Sequence, residues 1–294
     1  MIKRELPAPD LADVAYGKHE RNVLDFWRAP GPGPRPVVIY FHGGGFRSGD
    51  KRSLSPYFLE LCLARGVSVA AANYRFAQQA MFPAPMLDGV RAIQFLRTKA
   101  AEWNIDLSRI AATGSSAGAV VCFWAGCRDE LADPLSPDPV LRQSSRLAAI
   151  AVKGAKSTYD INEIRELIGG RAWEHPSLLG LFDFEKEPID DPEAKKLVDQ
   201  ASPIKLLTRD DPPAFLYYLD PNEPLPTDAK AGQGIHHPRF GAELSRRVQE
   251  LGIPHVLRHR DEYVASGFAA DQIGDAKERD MVDFLARYLR VSSP

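Results

Sequence analysis

The stretch from Ser108 to Ala125, SRIAATGSSAGAVVCFWA, constrains this chain more than any other. Ile110 to Thr113 is a short apolar run of the kind that forms a buried strand, and it breaks at Gly114. Ser115, Ser116 and Ala117 follow, then Gly118, and from Ala119 the residues suit a helix. Strand, tight turn and helix with the pattern G-x-S-x-G predict a serine in a strained backbone conformation, its hydroxyl exposed above a sheet. The flanking glycines let the strand and helix approach closely. The N–H of Ala117, at the helix start, then points to where an oxyanion would form beside Ser116. Ser116 is read as a nucleophile, against the plainer alternative of a Gly/Ser turn between strand and helix.

A second signal lies upstream. After a Pro/Gly cluster from Pro30 to Pro36, the apolar run Val37 to Phe41 fits a strand buried on both faces. It ends at His42-Gly43-Gly44-Gly45-Phe46. A glycine run just past a buried strand leaves backbone N–H groups facing an open cavity with no side chains in the way. With Ser116 downstream, Gly44 and Gly45 are expected to supply the rest of an oxyanion hole. His42 is expected to pack and hydrogen-bond within the loop rather than act as a base.

The remaining chain alternates strand and helix patterns. Met1 to Leu11 reads as an arm, with edge strands at Val14–Tyr16 and Val23–Trp27. A helix over Ser53–Ala64 and a strand over Val67–Asn73 follow. Pro85 opens a further helix with Leu87, Val90, Ile93, Phe95 and Leu96 on its apolar side. Beyond the elbow helix, which is expected to carry Cys122 and Cys127, comes a strand at Leu147–Val152. Strands at Ala214–Leu219 and Val256–Arg260 alternate with helices at Pro238–Leu251 and Ala276–Leu289. Residues 161–200 are charged and proline-rich, and read as a cap-like insertion above the sheet rather than core. The expected class is α/β: one domain over residues 1–294, built on a mostly parallel sheet with helices on both faces.

Composition narrows the function classes. A net charge of −2 creates no global field that favours nucleic acid or an anionic membrane. The three cysteines (Cys62, Cys122, Cys127) have no metal-ligand spacing and read as reduced, buried small hydrophobes. No run has the length of a membrane span or a signal-peptide core, so a cytoplasmic protein without metal or cofactor is expected.

Taken in order, these motifs resemble the α/β-hydrolase superfamily. More narrowly they resemble its esterase/lipase group with HGGG and GxSxG, which includes hormone-sensitive-lipase-like and feruloyl- and acetyl-esterase-like proteins. The resemblance rests on HGGGFRSGDK at 42–51, NYRFA at 73–77, FPAPMLDGVRAIQFLR at 82–97, GSSAG at 114–118 and ASPI at 201–204. It covers nearly the whole chain. It implies Ser116 as nucleophile, Gly44, Gly45 and Ala117 as oxyanion donors, and a small or aryl carboxylic ester as substrate.

The other two triad positions depart from the family. Its acid sits in a context like G-D-A-D-P-L-V-P; here the text is LDPNEPLP, which places Asn222 at the acid position with Asp220 and Glu223 nearby. Its histidine sits in G-H-G-F; here HRDEYVASGF places Ser266 there. A serine hydroxyl without a base is a poor nucleophile. One rescue is visible in the lengthened loop TDAKAGQGIHHPRFG, where His236 or His237 is a candidate base with Glu223, Asp220 or Asp160 as partner. Otherwise His237 caps the following helix and His236 packs or is solvated. His19, His175, His255 and His259 read as ordinary surface or core residues. Two expectations stand side by side: an ester hydrolase acting through an acyl-enzyme, and a degenerate hydrolase that binds a carbonyl ligand or partner with little turnover.

Overall fold

The computed structural model describes residues 4–182 and 191–291. Its strands are β1 (Leu11–Ala15), β2 (Val23–Trp27), β3 (Arg35–Phe41), β4 (Ser68–Ala72), β5 (Ile105–Ser115), β6 (Ile150–Lys153), β7 (Ala214–Tyr218) and β8 (His255–His259). They form one sheet in the order β1-β2-β4-β3-β5-β6-β7-β8. The pairings of β1 with β2 and β2 with β4 are antiparallel; all later ones are parallel. The helices are α1 (Pro56–Ala64), α2 (Ala84–Thr98), α3 (Ala100–Trp103), α4 (Ala117–Gly126), α5 (Ile161–Ile168), α6 (Pro176–Leu179), α7 (Pro192–Ala201), α8 (Pro203–Leu206), α9 (Pro238–Glu250), α10 (Arg260–Ala265) and α11 (Ile273–Tyr288).

The two-residue period of the strands sorts the core into two layers. Val37, Ile39 and Phe41 of β3 join Ile110 and Ala112 of β5 and pack under α2, α4 and α9 through residues such as Ile93, Val120 and Leu244. Val38, Tyr40, Val69, Ala111 and Phe215 face the other way, against Phe58 and Leu59 of α1 and Met281 and Leu285 of α11. Strands apolar on both faces require helices on both faces, which is why the central runs lack polar alternation. The parallel strands β3, β5 and β6 end side by side, where an open α/β sheet presents its binding site.

Most expected elements are present with shifted ends. β1 begins at Leu11, inside the expected arm, whose residues 1–3 lie outside the described residues. β5 begins at Ile105, earlier than the apolar run suggested, because Ile105 pairs with Arg35 of β3. Leu87 is 45 % exposed, so it does not share the apolar face of α2 with Val90 and Ile93. Cys127 lies just past the end of α4; all three cysteines are free and buried. α10 was not expected: the segment after β8 turns directly into helix, with Glu262 accepting from the His259 N–H. The stretch 161–200, of which 183–190 lie outside the described residues, contributes to the core: Ile164, Ile168, Leu178 and Leu181 join the α2/α4 layer.

Candidate active site

β5 delivers Ser116 and α4 starts immediately behind it. The backbone of Ser116 has φ 53° and ψ −117°, a conformation costing about 1–3 kcal/mol in a non-glycine residue. The surrounding structure enforces it. The Ser116 N–H donates to the Lys153 carbonyl at 2.9 Å, and the Ser116 carbonyl accepts from the Val120 N–H at 3.2 Å. Only glycine fits at 118, because a Cβ there would lie 2.0 Å from the Phe41 carbonyl oxygen. The half-buried hydroxyl of Ser116 is thereby held above the ends of β3 and β6.

His236 meets it. Its Nε2 lies 2.8 Å from Ser116 Oγ, across 120 residues of chain. The neighbouring His237 does not approach Ser116. It caps α9, its Nδ1 accepting from the Arg239 N–H at 3.2 Å and its Nε2–H donating to the Glu223 carbonyl at 2.9 Å. With His237 pinned and buried, the chain turns the ring of His236 toward β5. That ring packs on Gly154, just past β6, where a Cβ would stand 3.1 Å from His236 Cδ2 and 3.2 Å from Cγ. Burial, and then the positive charges of Lys156 and His175, hold the His236 imidazolium off and push its pKa down to about 4. The ring is neutral near pH 7. If Nε2 accepts the serine proton, the ring proton is on Nδ1, for which no acceptor is found among the described residues.

The glycine turn closes the other side. His42 is fully buried and stacks on Tyr74 with ring centres 4.3 Å apart. Arg21 donates to its Nε2 at 3.1 Å, so its Nδ1–H donates to the Gly43 carbonyl at 2.7 Å. Burial lowers its pKa to about 4, and it serves the loop as expected. A Cβ on Gly43 would sit 3.5 Å from Ser116 Cβ, which places the turn against the nucleophile. The Gly44 carbonyl accepts from Arg47 and Ser48, whereas the N–H groups of Gly44 and Gly45 find no acceptor among the described residues. Ala117, the first residue of α4, has an N–H with no acceptor inside the helix. Ser177 covers Gly45 and is itself bonded to His175 Nδ1 at 2.7 Å.

The two family positions lie elsewhere. Asn222 is exposed, as is Glu223. Ser266 is exposed at the end of α10, its hydroxyl donating to the Glu262 carbonyl at 2.8 Å. Asp160 caps α5 and pairs with Lys195 at 3.0 Å. The Asp220 carbonyl accepts from His259 Nε2 at 2.7 Å. His255 bonds Ser245, and His19 accepts from the Arg21 N–H. Sequence reasoning missed Lys156, His175, Ser177, Gly43 and Gly154 around the site. Glycine after a buried strand was the available signal for Gly154; nothing in the sequence pointed to Lys156. A separate cavity of about 750 Å³, lined in part by Glu163, Lys205, Glu243 and Arg246, contains none of these residues. Among the described residues no helix is long and apolar enough to cross a membrane.

An eight-stranded, mostly parallel sheet with a strained serine elbow defines the α/β-hydrolase fold. Within it the chain belongs to the BD-FAE family, which matches residues 24–228. It is 29 % identical to "Esterase LipQ" of Mycobacterium tuberculosis over 75 % of this chain and 51 % of that protein. The chain spans about half the length of the curated relatives it matches first. Among solved structures, a "truncated form of carbohydrate esterase from gut microbiota" superposes with a TM-score of 0.74 at 21 % identity, over 95 % of this chain and 96 % of the other. "Thermogutta terrifontis esterase 2 phosphonylated by sarin" gives 0.70 at 18 % identity, over 98 % and 99 %. These two likenesses concern the fold.

Proposed function

We propose that the protein hydrolyses small carboxylic esters through an acyl-enzyme on Ser116, with His236 as general base. The approach of His236 Nε2 to Ser116 Oγ at 2.8 Å carries this reading. In acylation the hydroxyl proton passes to Nε2 while Oγ bonds the ester carbonyl carbon. The negative charge on the carbonyl oxygen is met by the N–H groups of Gly44, Gly45 and Ala117. Collapse breaks the bond to the alkoxide, which takes the proton back from His236, and water repeats the sequence to release the acid. Names of relatives such as "Esterase LipQ" and "Probable carboxylic ester hydrolase LipM" support the class of reaction. Residues 161–200 are read as a small cap, supported by the contact of Ser177 with Gly45.

A second reading, slow turnover by an incomplete triad, is favoured by His236 Nδ1 having no acceptor among the described residues. An orienting acid is worth about 10⁴-fold in the serine proteases. The test is a serine-directed fluorophosphonate with peptide mapping, run beside hydrolysis of an aryl acetate by the parent, Ser116→Ala and His236→Ala. Labelling at Ser116 with turnover lost in both variants supports the hydrolase. Absence of labelling under forcing conditions refutes the covalent mechanism, and labelling without turnover supports the degenerate reading.

A further inference from the structure

Lys156 is 3 % exposed, and among the described residues no carboxylate pairs with it. Its ammonium lies 6.0 Å from the centre of the Tyr159 ring. Its environment contrasts with that of Lys51, likewise buried, which pairs with Asp25 at 2.7 Å and Asp13 at 2.8 Å. Removing an ammonium from water without a counter-ion costs several kcal/mol. Burial pushes the Lys156 pKa down to about 8, which leaves it mostly protonated near neutral pH.

Its place gives that cost a purpose. Lys156 lies two residues after Gly154, on the loop that supports the ring of His236. It is near enough to His236 and to His175 for its charge to act on both. The titratable groups gathered here among the described residues are therefore an ammonium, two imidazoles and the neutral Tyr159 phenol. Among the described residues no carboxylate brings the negative charge of a triad acid to this group: Asp160 is engaged with α5 and Lys195, and Asn222 is exposed.

Resting on the ester-hydrolase reading above, we propose that the site takes esters bearing a second, ionised carboxylate, which seats on Lys156. Such a substrate supplies the missing counter-ion. It also offsets the positive charge that opposes imidazolium formation on His236, so the anion assists the transition state as well as binding. Lys156 is on this account a specificity-determining residue that touches substrate.

The experiment uses two matched pairs. Mono(4-nitrophenyl) succinate against 4-nitrophenyl butyrate places the carboxylate on the acyl side; 4-acetoxybenzoate against phenyl acetate places it on the alcohol side. At neutral pH, kcat/KM for at least one anionic member exceeds its neutral partner by about tenfold or more, and the pair that responds identifies the side. Lys156→Met reduces that advantage by at least about fivefold, while Lys156→Arg keeps it. In the parent the advantage declines above about pH 8 as the ammonium deprotonates, a readout that needs no variant. Equal kcat/KM within both pairs overturns the inference, as does an advantage untouched by Lys156→Met or constant to high pH. Ser116-dependent cleavage without charge preference refutes this inference alone. No Ser116-dependent cleavage of any of the four esters refutes the hydrolase reading, and this one with it.

Discussion

Replacing Gly154 by alanine tests whether the position of His236, rather than its mere presence, governs the rate. The new methyl would stand 3.1 Å from His236 Cδ2, 3.2 Å from Cγ and 3.4 Å from Cβ. Those separations are tighter than ordinary carbon contacts of about 3.5–4.0 Å, so the ring must retreat by a few tenths of an ångström. Retreat lengthens the 2.8 Å contact to Ser116 Oγ. Misplacement of about 1 Å costs about 100-fold, so a fall in kcat of about three- to tenfold is expected. The same substitution strains the backbone, because Gly154 has φ +60°, where alanine is disfavoured by about 1–2 kcal/mol. That lowers Tm by a few degrees. The assay is kcat on a neutral aryl acetate together with the melting temperature. Gly232→Ala, in the same loop as His236 but with open space around the new methyl, is the control and leaves both values close to the parent's. A folded Gly154→Ala enzyme that loses Tm yet keeps kcat within about twofold refutes the idea that the Gly154 contact positions the base.

Four further predictions follow from the same geometry. On a neutral ester, kcat/KM is flat through neutrality and falls with acid around an apparent pKa near 4, where His236 takes a proton; a midpoint near the ordinary imidazole value refutes its buried, cation-flanked setting. His42 and His236 both refuse protons that the unfolded chain accepts from about pH 6.5 down, so stability is full above that pH and is lost as pH falls toward 4, which denaturant titrations across this window check. His236→Ala lowers kcat by about 10²–10⁴-fold, whereas His237→Ala removes a helix cap worth about 1 kcal/mol and shows mainly in Tm; the reverse assignment would exchange the two phenotypes. Asn222→Asp with Ser266→His gains nothing on an aryl ester, since both positions are exposed and Ser266 is bonded to α10; a gain of about tenfold would show that this segment reaches the serine.

What the sequence determined alone were the features whose physics is local. A strand that stops at glycine, a serine, and a helix with small residues at its start can be read in one line, because a sharp elbow needs those residues at that spacing. HGGG at the end of a doubly apolar run is similar: bare backbone at a strand terminus has few other uses. The mostly parallel α/β class was also legible, since runs such as Val37–Phe41 are apolar on both faces only if helices cover both. The choice between His236 and His237 was not legible, because the two are adjacent and chemically identical. It fell to the tertiary structure: His237 is consumed by the α9 cap and the Glu223 carbonyl, and Gly154, far away in sequence, leaves a recess that His236 fills. Aligned position misled for Ser266, because α10 forms directly after β8 and carries that residue to the surface. Lys156 stayed hidden for the same reason: a lysine carries no mark of whether its charge is buried without a partner until the chain has packed around it.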